Sequence, residues 1–204
     1  MPQQQLLNHA GRCTQKQMPV NVSAPNSGSD PSTFRIGIVG HRYLANKDTI
    51  AFVSSACSAF LKQFQAEHKN VVALSALAEG ADTLFAEAAV ALHIPLQIVR
   101  PFQEYATDFS ILSAKNSYER LRLSASNETS LEYIGRSNDA YLAGMHWIVD
   151  RCNLLVAVWD GSPAKGLGGT GDAVERAVLM NRDWIHLDVV DLSVTYHLAT
   201  TMGG

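Results

Sequence analysis

A glycine-rich stretch at residues 161–171 holds the residues whose types and spacing come closest to a binding chemistry. Five glycines lie in these eleven residues, where they let the backbone adopt positive φ and let a ligand approach main-chain N–H groups without meeting a Cβ. Thr170 is predicted as the N-cap of a following helix, whose free N–H groups and positive dipole end favour an anion. The stretch therefore predicts a phosphate site, although a surface loop without a ligand has the same composition.

Gly40, His41 and Arg42 form the second candidate stretch, directly after an apolar run. Arg42 fits either a bidentate contact with a phosphate or an ion pair between loops. His41 is typical of a loop residue that forms hydrogen bonds, and acid–base catalysis is its alternative role. The arginine makes this stretch a candidate partner for the glycine-rich one.

Three carboxylates near predicted loops are candidates for catalysis at a sugar: Glu79, Asp160 and Asp172. Glu79 fits either a hydrogen bond to a ribose or a water molecule, or the capping of a neighbouring loop. Asp160 ends an apolar run, where it fits either a ribose contact or an ordinary turn before Gly161. The residues alone leave both pairs of alternatives open.

Aromatic residues are candidates to stack on a base. Tyr105 lies beside Phe102 and Phe109 in a stretch without periodicity, which predicts a lid residue. Trp159 and Tyr141 continue apolar patterns, so a place in the core is favoured for both. Four histidines have no metal-ligand spacing, and neither a metal nor a cofactor is predicted; they are His93, His146, His186 and His197.

The elements that must position these residues follow from hydrophobic patterning. Short apolar runs predict five strands, at residues 34–39, 71–75, 96–100, 154–159 and 184–190. Apolar residues at spacings of three and four predict helices at 46–68, 83–92 and 170–181, and a mainly helical stretch at 110–153 with a polar, mobile break at 124–130. Asp82 and Ser137 are predicted as N-caps.

Strands that alternate with helices, each strand a continuous apolar run, predict a parallel sheet covered on both faces. The fold class is thus α/β, a Rossmann-like three-layer sandwich with five or more mainly parallel strands in the order 3-2-1-4-5. In this order the winding reverses between the first and fourth strands, where ligands bind at the carboxyl ends. The two candidate stretches are therefore expected side by side.

The length of 204 residues and an apolar content of 47% fit one domain with a sizeable core. Residues 1–33, rich in Gln, Asn, Ser and Pro, are predicted to be a poorly ordered arm, and residues 34–204 a single Rossmann-like nucleotide-binding domain. Three widely spaced cysteines are typical of reduced residues, which predicts a cytoplasmic protein. No run approaches the ~18 apolar residues of a membrane span, and no signal peptide is evident.

The formal net charge of −3 provides no basic footprint for gripping a duplex through its phosphates. It argues against nucleic acid as a partner. A small anionic ligand held by local N–H groups remains compatible with this charge.

Three loops together resemble the SLOG superfamily, which includes the lonely-guy (LOG) phosphoribohydrolases and the Rossmann-like domain of the DNA-processing-protein-A family. They are Gly40-His41-Arg42, residues 75–82 and Gly168-Gly169-Thr170, and the resemblance spans residues 34–190. It implies binding of a nucleotide or nucleotide-derived small molecule, with G-H-R similar to the family's G-S-R type loop and G-G-T to its phosphate-binding loop.

LOG enzymes carry a P-G-G-x-G-T-x-x-E type motif whose Glu takes part in cleaving the base from the sugar phosphate. Ala173 stands at that place here. Asp172 and Glu79 are the nearest carboxylates that would substitute for it. LOG-type relatives pair through helices beside the site, so the resemblance also implies a homodimer formed through the helix at residues 141–148.

The sequence therefore predicts a protein that binds a phosphorylated nucleoside or nucleotide-derived small molecule at the carboxyl edge of the sheet, as a sensor or processing protein. The predicted ligand-binding residues are Gly40, His41, Arg42, Ala78, Gly80, Tyr105, Gly161, Gly166, Gly168, Gly169 and Thr170. N-glycosidic hydrolysis by Glu79, Asp160 and Asp172 is the alternative. Single-stranded DNA binding ranks below both, because the chain is acidic overall.

Overall fold

A computed structural model describes residues 32–163 and 167–199. The strands are β1 (Thr33–Gly40), β2 (Asn70–Ser75), β3 (Leu96–Arg100), β4 (Asn127–Ser130), β5 (Leu154–Trp159), β6 (Asp183–Asp188) and β7 (Ser193–His197). The helices are α1 (Lys47–Glu67), α2 (Ala81–Ala91), α3 (Leu112–Leu123), α4 (Asn138–Arg151) and α5 (Thr170–Leu179), with a 3₁₀ turn at Tyr105–Asp108. Most of the predicted N-terminal arm lies outside the described residues.

The described strands form one sheet in the order β4-β3-β2-β1-β5-β6-β7. Neighbouring strands from β4 through β6 are parallel, and β7 runs antiparallel to β6. The predicted strands correspond to β1, β2, β3, β5 and β6, so the predicted fold class and the predicted inner order are confirmed. The reversal of winding lies between β1 and β5.

Helices cover both faces of the sheet because the central strands are apolar on both sides. Ile36 and Ile38 of β1 face a core that also contains residues of α1 and α2. On the other face, Val149 of α4 and Val174 of α5 pack with β5. Gly37 lets α4 approach closely, since an added Cβ would lie 2.7 Å from Cγ2 of Ile148.

The helix starts confirm some predicted caps and correct others. Ser137 caps α4, its hydroxyl accepting from the N–H of Ala140. Thr170 is instead the first residue of α5, and the N-cap is Gly169. The prediction for Asp82 is likewise wrong, because the N-cap of α2 is Gly80 and the Asp82 carboxylate is turned towards the end of β2.

Two strands are absent from the sequence-based prediction. The polar break at residues 124–130 contains β4, whose Glu128 pairs with Arg100 and, at 2.8 Å, with Nε of Arg122. The C-terminal segment contains β7, where His197 stacks on Trp184 at 3.8 Å between ring centroids. Neither strand is an apolar run, so patterning did not reveal them. Among the described helices, none combines the length and the apolar character needed to cross a bilayer.

Candidate functional site

A cavity of about 800 Å³ opens at the carboxyl edge of the sheet, where β1 and β5 end. Its walls come from the loops after β1, β2 and β5, the 3₁₀ turn, α4 as far as Ile148, and the first turn of α5. The structure thus brings the two candidate stretches together, as the strand order predicted. The predicted residues that line the cavity are Gly40, His41, Arg42, Ala78, Tyr105, Asp160, Gly168, Gly169 and Thr170.

Several predicted site residues do not line the cavity. Glu79, Gly80, Gly161 and Asp172 are described but lie outside its walls, and Gly166 lies outside the described residues. The carboxylate of Asp172 accepts the N–H of Gly168 at 2.7 Å, so this side chain organises the glycine-rich loop. Of the three predicted catalytic carboxylates, Asp160 alone reaches the cavity wall.

The loops after β1 and β2 touch through their backbones. The N–H of Ala81 donates to the carbonyl of His41 at 3.1 Å. Gly80 has a φ of +85°, and an added Cβ would overlap the carbonyl oxygens of His41 and Arg42. The glycine is therefore required by the approach of two loops and not by a ligand.

His41 and Asp160 form a pair at the rim of the cavity. Nε2 of His41 lies 3.4 Å from Oδ1 of Asp160, and both side chains are about one third exposed. The same Oδ1 accepts the N–H of Ser162 at 3.0 Å, so Asp160 takes part in a turn, which is the alternative role that the sequence offered for it. The hydrogen bond from Ser162 and, less strongly, His41 lower the pKa of Asp160, so this group is a hydrogen-bond acceptor and not a general acid at neutral pH.

Arg42 lies in a cluster with Asp108 of the 3₁₀ turn, Arg136 and Tyr141. Nη1 of Arg42 donates to Oδ2 of Asp108 at 2.5 Å, and Nη1 of Arg136 is 3.5 Å from Oδ1. Both guanidinium groups lie over the Tyr141 ring, at 5.1 and 5.9 Å from its centroid. Arg42 therefore forms an ion pair between loops and also places a positive charge at the cavity wall.

Arg42 stays protonated in this cluster. Burial lowers the pKa of the guanidinium, but Tyr105 and Asp108 help to raise it by more, so the pKa lies above its ordinary value. Asp108 and Arg136 escaped sequence analysis. Asp108 stands in a stretch without periodicity, and Arg136 belongs to none of the motifs that the sequence presents.

Tyr105 is not the exposed lid residue that the sequence predicted. Its side chain is 1% exposed, and its ring contacts those of Phe102, Phe109 and Tyr118 edge-on at 5.3 to 5.6 Å. These aromatic groups close the 3₁₀ turn onto α3 as a small core. The aromatic side chain exposed at the cavity is Tyr43, at 78%.

Asp82 lines the cavity from below, almost completely buried. Its Oδ2 accepts from the hydroxyl of Ser75 and from the N–H of Ala76, both at 3.2 Å. Burial raises the pKa of this carboxyl to about 6. The side chain thus ties the end of β2 to the start of α2.

Solved structures share this arrangement of strands and helices. DNA processing protein A from Streptococcus pneumoniae matches with a TM-score of 0.54 and 18% identity over 76% of this chain and 50% of that one. DNA processing protein A from Helicobacter pylori, described as having a single-stranded DNA binding mode, matches with a TM-score of 0.51 and 13% identity over 75% of this chain and 64% of that one. The chain has the Rossmann-like fold of DNA processing protein A.

The likeness to DNA processing protein A covers part of those proteins, since this chain aligns with 50% and 64% of their lengths. No protein-family model matches the sequence, and a search of curated proteins returns no match. The part of the resemblance that concerns the DNA-processing family is therefore supported at the level of fold. Its LOG-type details stay predictions.

The predicted order of functions is wrong. The sequence-based prediction placed a nucleotide-derived small molecule and N-glycosidic hydrolysis ahead of single-stranded DNA, and it treated nucleic acid as an unlikely partner. The fold, however, is that of DNA processing protein A, one form of which is described as binding single-stranded DNA. The net charge of −3 misled because it averages the whole chain. Arg42 and Arg136 both line the same cavity.

Proposed function

We propose that this protein binds single-stranded DNA across the cavity at the carboxyl edge of the sheet. The observation that carries the proposal is the pair of arginines, Arg42 and Arg136, set over one tyrosine ring at the cavity wall. Guanidinium groups contact phosphates through several N–H donors. The likeness to a DNA processing protein A with a single-stranded DNA binding mode supports the choice of ligand.

The glycine-rich loop offers a further contact for a phosphate. Gly169, the N-cap of α5, has no side-chain cap, and Thr170 and Gly171 follow it along the cavity wall. Main-chain N–H groups at such a helix start favour an anion. The SLOG-type resemblance of residues 168–170 points to the same role.

A concave site selects a single strand over a duplex. Bases of a single strand are free to leave the stack and enter a cavity, whereas paired bases must first be unpaired. Tyr43, largely exposed at the rim, provides an aromatic face, and stacking on such faces contributes ~1 to 3 kcal/mol per base. The two arginines and Tyr43 therefore provide contacts for the phosphates and bases of a single strand that do not require a broad basic surface.

The test is fluorescence anisotropy with a labelled oligothymidylate and, in parallel, a hairpin duplex. We expect the single strand to bind more tightly, and Arg42→Gln or Arg136→Gln to weaken binding by roughly tenfold or more, as for lost hydrogen bonds to charged groups. Arg120→Gln is the matched control, since Arg120 is an exposed arginine of α3 paired with Glu87 and is not among the cavity residues.

Two results would contradict the proposal. One is no binding of the oligothymidylate by the wild-type protein even at low salt. The other is a loss of affinity in Arg120→Gln as large as in the cavity variants, which would put the strand elsewhere on the molecule.

A further inference from the structure

We infer that Asp108 is a positioning residue, which holds Arg42 in the orientation that meets a phosphate of the strand. The inference rests on the proposed function, because it concerns how the same cavity recognises DNA. Asp108 is not among the residues that line the cavity. Beyond the direct effect of its charge, Asp108 therefore acts on binding through the groups that it contacts, among them Arg42.

The Arg42 side chain is held from two directions. Asp108 accepts from Nη1 at 2.5 Å, and Cζ of Arg42 lies 5.1 Å from the centre of the Tyr141 ring. A guanidinium has five N–H donors, so the others stay available to a ligand. A long side chain that is ordered before binding loses less conformational entropy when the phosphate arrives.

Asp108 is itself a fixed point. Its side chain is 1% exposed, and it ends a 3₁₀ turn in which the N–H of Thr107 donates to the carbonyl of Glu104 at 2.8 Å. Tyr105, at the start of the turn, and Phe109, directly after Asp108, are both buried and anchor the turn at its two ends. Arg136, by contrast, is 73% exposed and 3.5 Å from the carboxylate, so it is held less closely.

Charge and positioning predict opposite signs for the removal of Asp108. As a negative charge beside a phosphate site, Asp108 opposes DNA binding, and its neutralisation would strengthen binding. As the support of Arg42, it favours DNA binding, and its neutralisation would weaken binding. The direction of the change therefore decides between a mere counter-charge and a positioning role.

The experiment compares oligothymidylate affinity in wild type, Asp108→Asn, Arg42→Gln and the double variant. We expect Asp108→Asn to weaken binding by roughly three- to tenfold, within the range of coupled neighbours, and to cause no further loss of affinity when Arg42 is already Gln. Asp150→Asn is the matched control, because Asp150 holds Arg176 through two hydrogen bonds of 2.6 and 2.7 Å and neither residue lines this cavity. Its affinity should equal that of wild type.

Unchanged or tighter binding by Asp108→Asn would overturn the inference, and so would an equal loss in the Arg42→Gln background. In both cases wild type still binds, which separates this failure from that of the proposed function. If wild type does not bind the oligothymidylate at all, both proposals are contradicted.

A measurement on the unmodified protein covers the case in which Asp108→Asn does not fold. Nitrogen-15 NMR of arginine side chains reports rotation about the Nε–Cζ bond, which exchanges the signals of the two Nη nitrogens. We expect slow rotation for Arg42 and faster rotation for Arg120, whose side chain is 56% exposed. Equally fast rotation in both would show that Arg42 is not held, which overturns the inference.

Discussion

At the scale of single residues, Asp82 has an environment that its sequence context does not reveal. An aspartate at the start of a helical pattern is typical of an N-cap, yet this one is buried beneath the cavity and accepts from Ser75 and Ala76. Since burial disfavours the carboxylate, the pKa rises to about 6. The folded protein therefore binds this proton more tightly than the unfolded chain does.

This pKa predicts how stability depends on pH. The ordinary value is 3.8 and the folded value about 6, so between them the folded state holds more protons at this site, and stability falls as pH rises, by up to about 1.4 kcal/mol per pH unit. Urea unfolding across this window should show that Asp82→Asn flattens the slope. A slope unchanged in Asp82→Asn would mean that Asp82 is already ionised there in the folded protein.

At the scale of elements, the contact between the loop after β1 and the start of α2 determines the shape of the cavity. Gly80 permits this contact because a side chain there would overlap two carbonyl groups. Gly161 has a similar φ, +76° against +85°, but open space around its Cα. A substitution at Gly80, where ψ is −120°, therefore adds a backbone cost to the cost of crowding, whereas at Gly161 no crowding is added.

We expect Gly161→Ala to destabilise the fold by about 1 to 2 kcal/mol, the cost of a left-handed conformation for a residue with a Cβ. Gly80→Ala should cost clearly more, and should also weaken oligothymidylate binding, because the loop that carries Arg42 must move. Urea unfolding and anisotropy on both variants measure these effects. Equal losses of stability would show that the two loops separate without cost.

Sequence patterning predicted the elements whose formation depends on their own residues. The strand at β5 is a continuous apolar run, and the Ser137 cap needs only the N–H of Ala140 three residues along. In contrast, β4 depends on ion pairs between Glu128 and two arginines from other elements. Tyr105 was misplaced for the same reason, since the rings that bury it come from residues up to Tyr118.

The site was predictable to the extent that topology determines it. The predicted reversal of winding was enough to bring Arg42 beside residues 168–170. It did not predict the contact between Arg42 and Asp108, which are 66 residues apart in sequence. Side-chain pairing over such separations depends on packing that no local pattern encodes.

At the scale of the whole molecule, the acidic balance limits how DNA binding responds to salt. The net charge is −3, and two arginines, Arg42 and Arg136, belong to the proposed contact. With two phosphates neutralised, the logarithm of the affinity should fall with the logarithm of salt concentration with a slope of about −1.4. Anisotropy over a salt series measures this slope, and Arg136→Gln should halve it. A slope several times steeper would indicate a longer basic track than this cavity provides.

The position of β1 in the middle of the sheet also bears on how the chain folds. Strands β1 to β4 pair with their neighbours in sequence, and so do β5 to β7. In contrast, the junction of β1 with β5 brings together residues that are distant in sequence, such as Arg35 and Asn153, 118 residues apart. Closing so long a loop is entropically costly, and contacts of this kind slow folding. The seam between the two halves is also the place where the cavity opens, so the binding site is completed only by the pairing that we expect to form last.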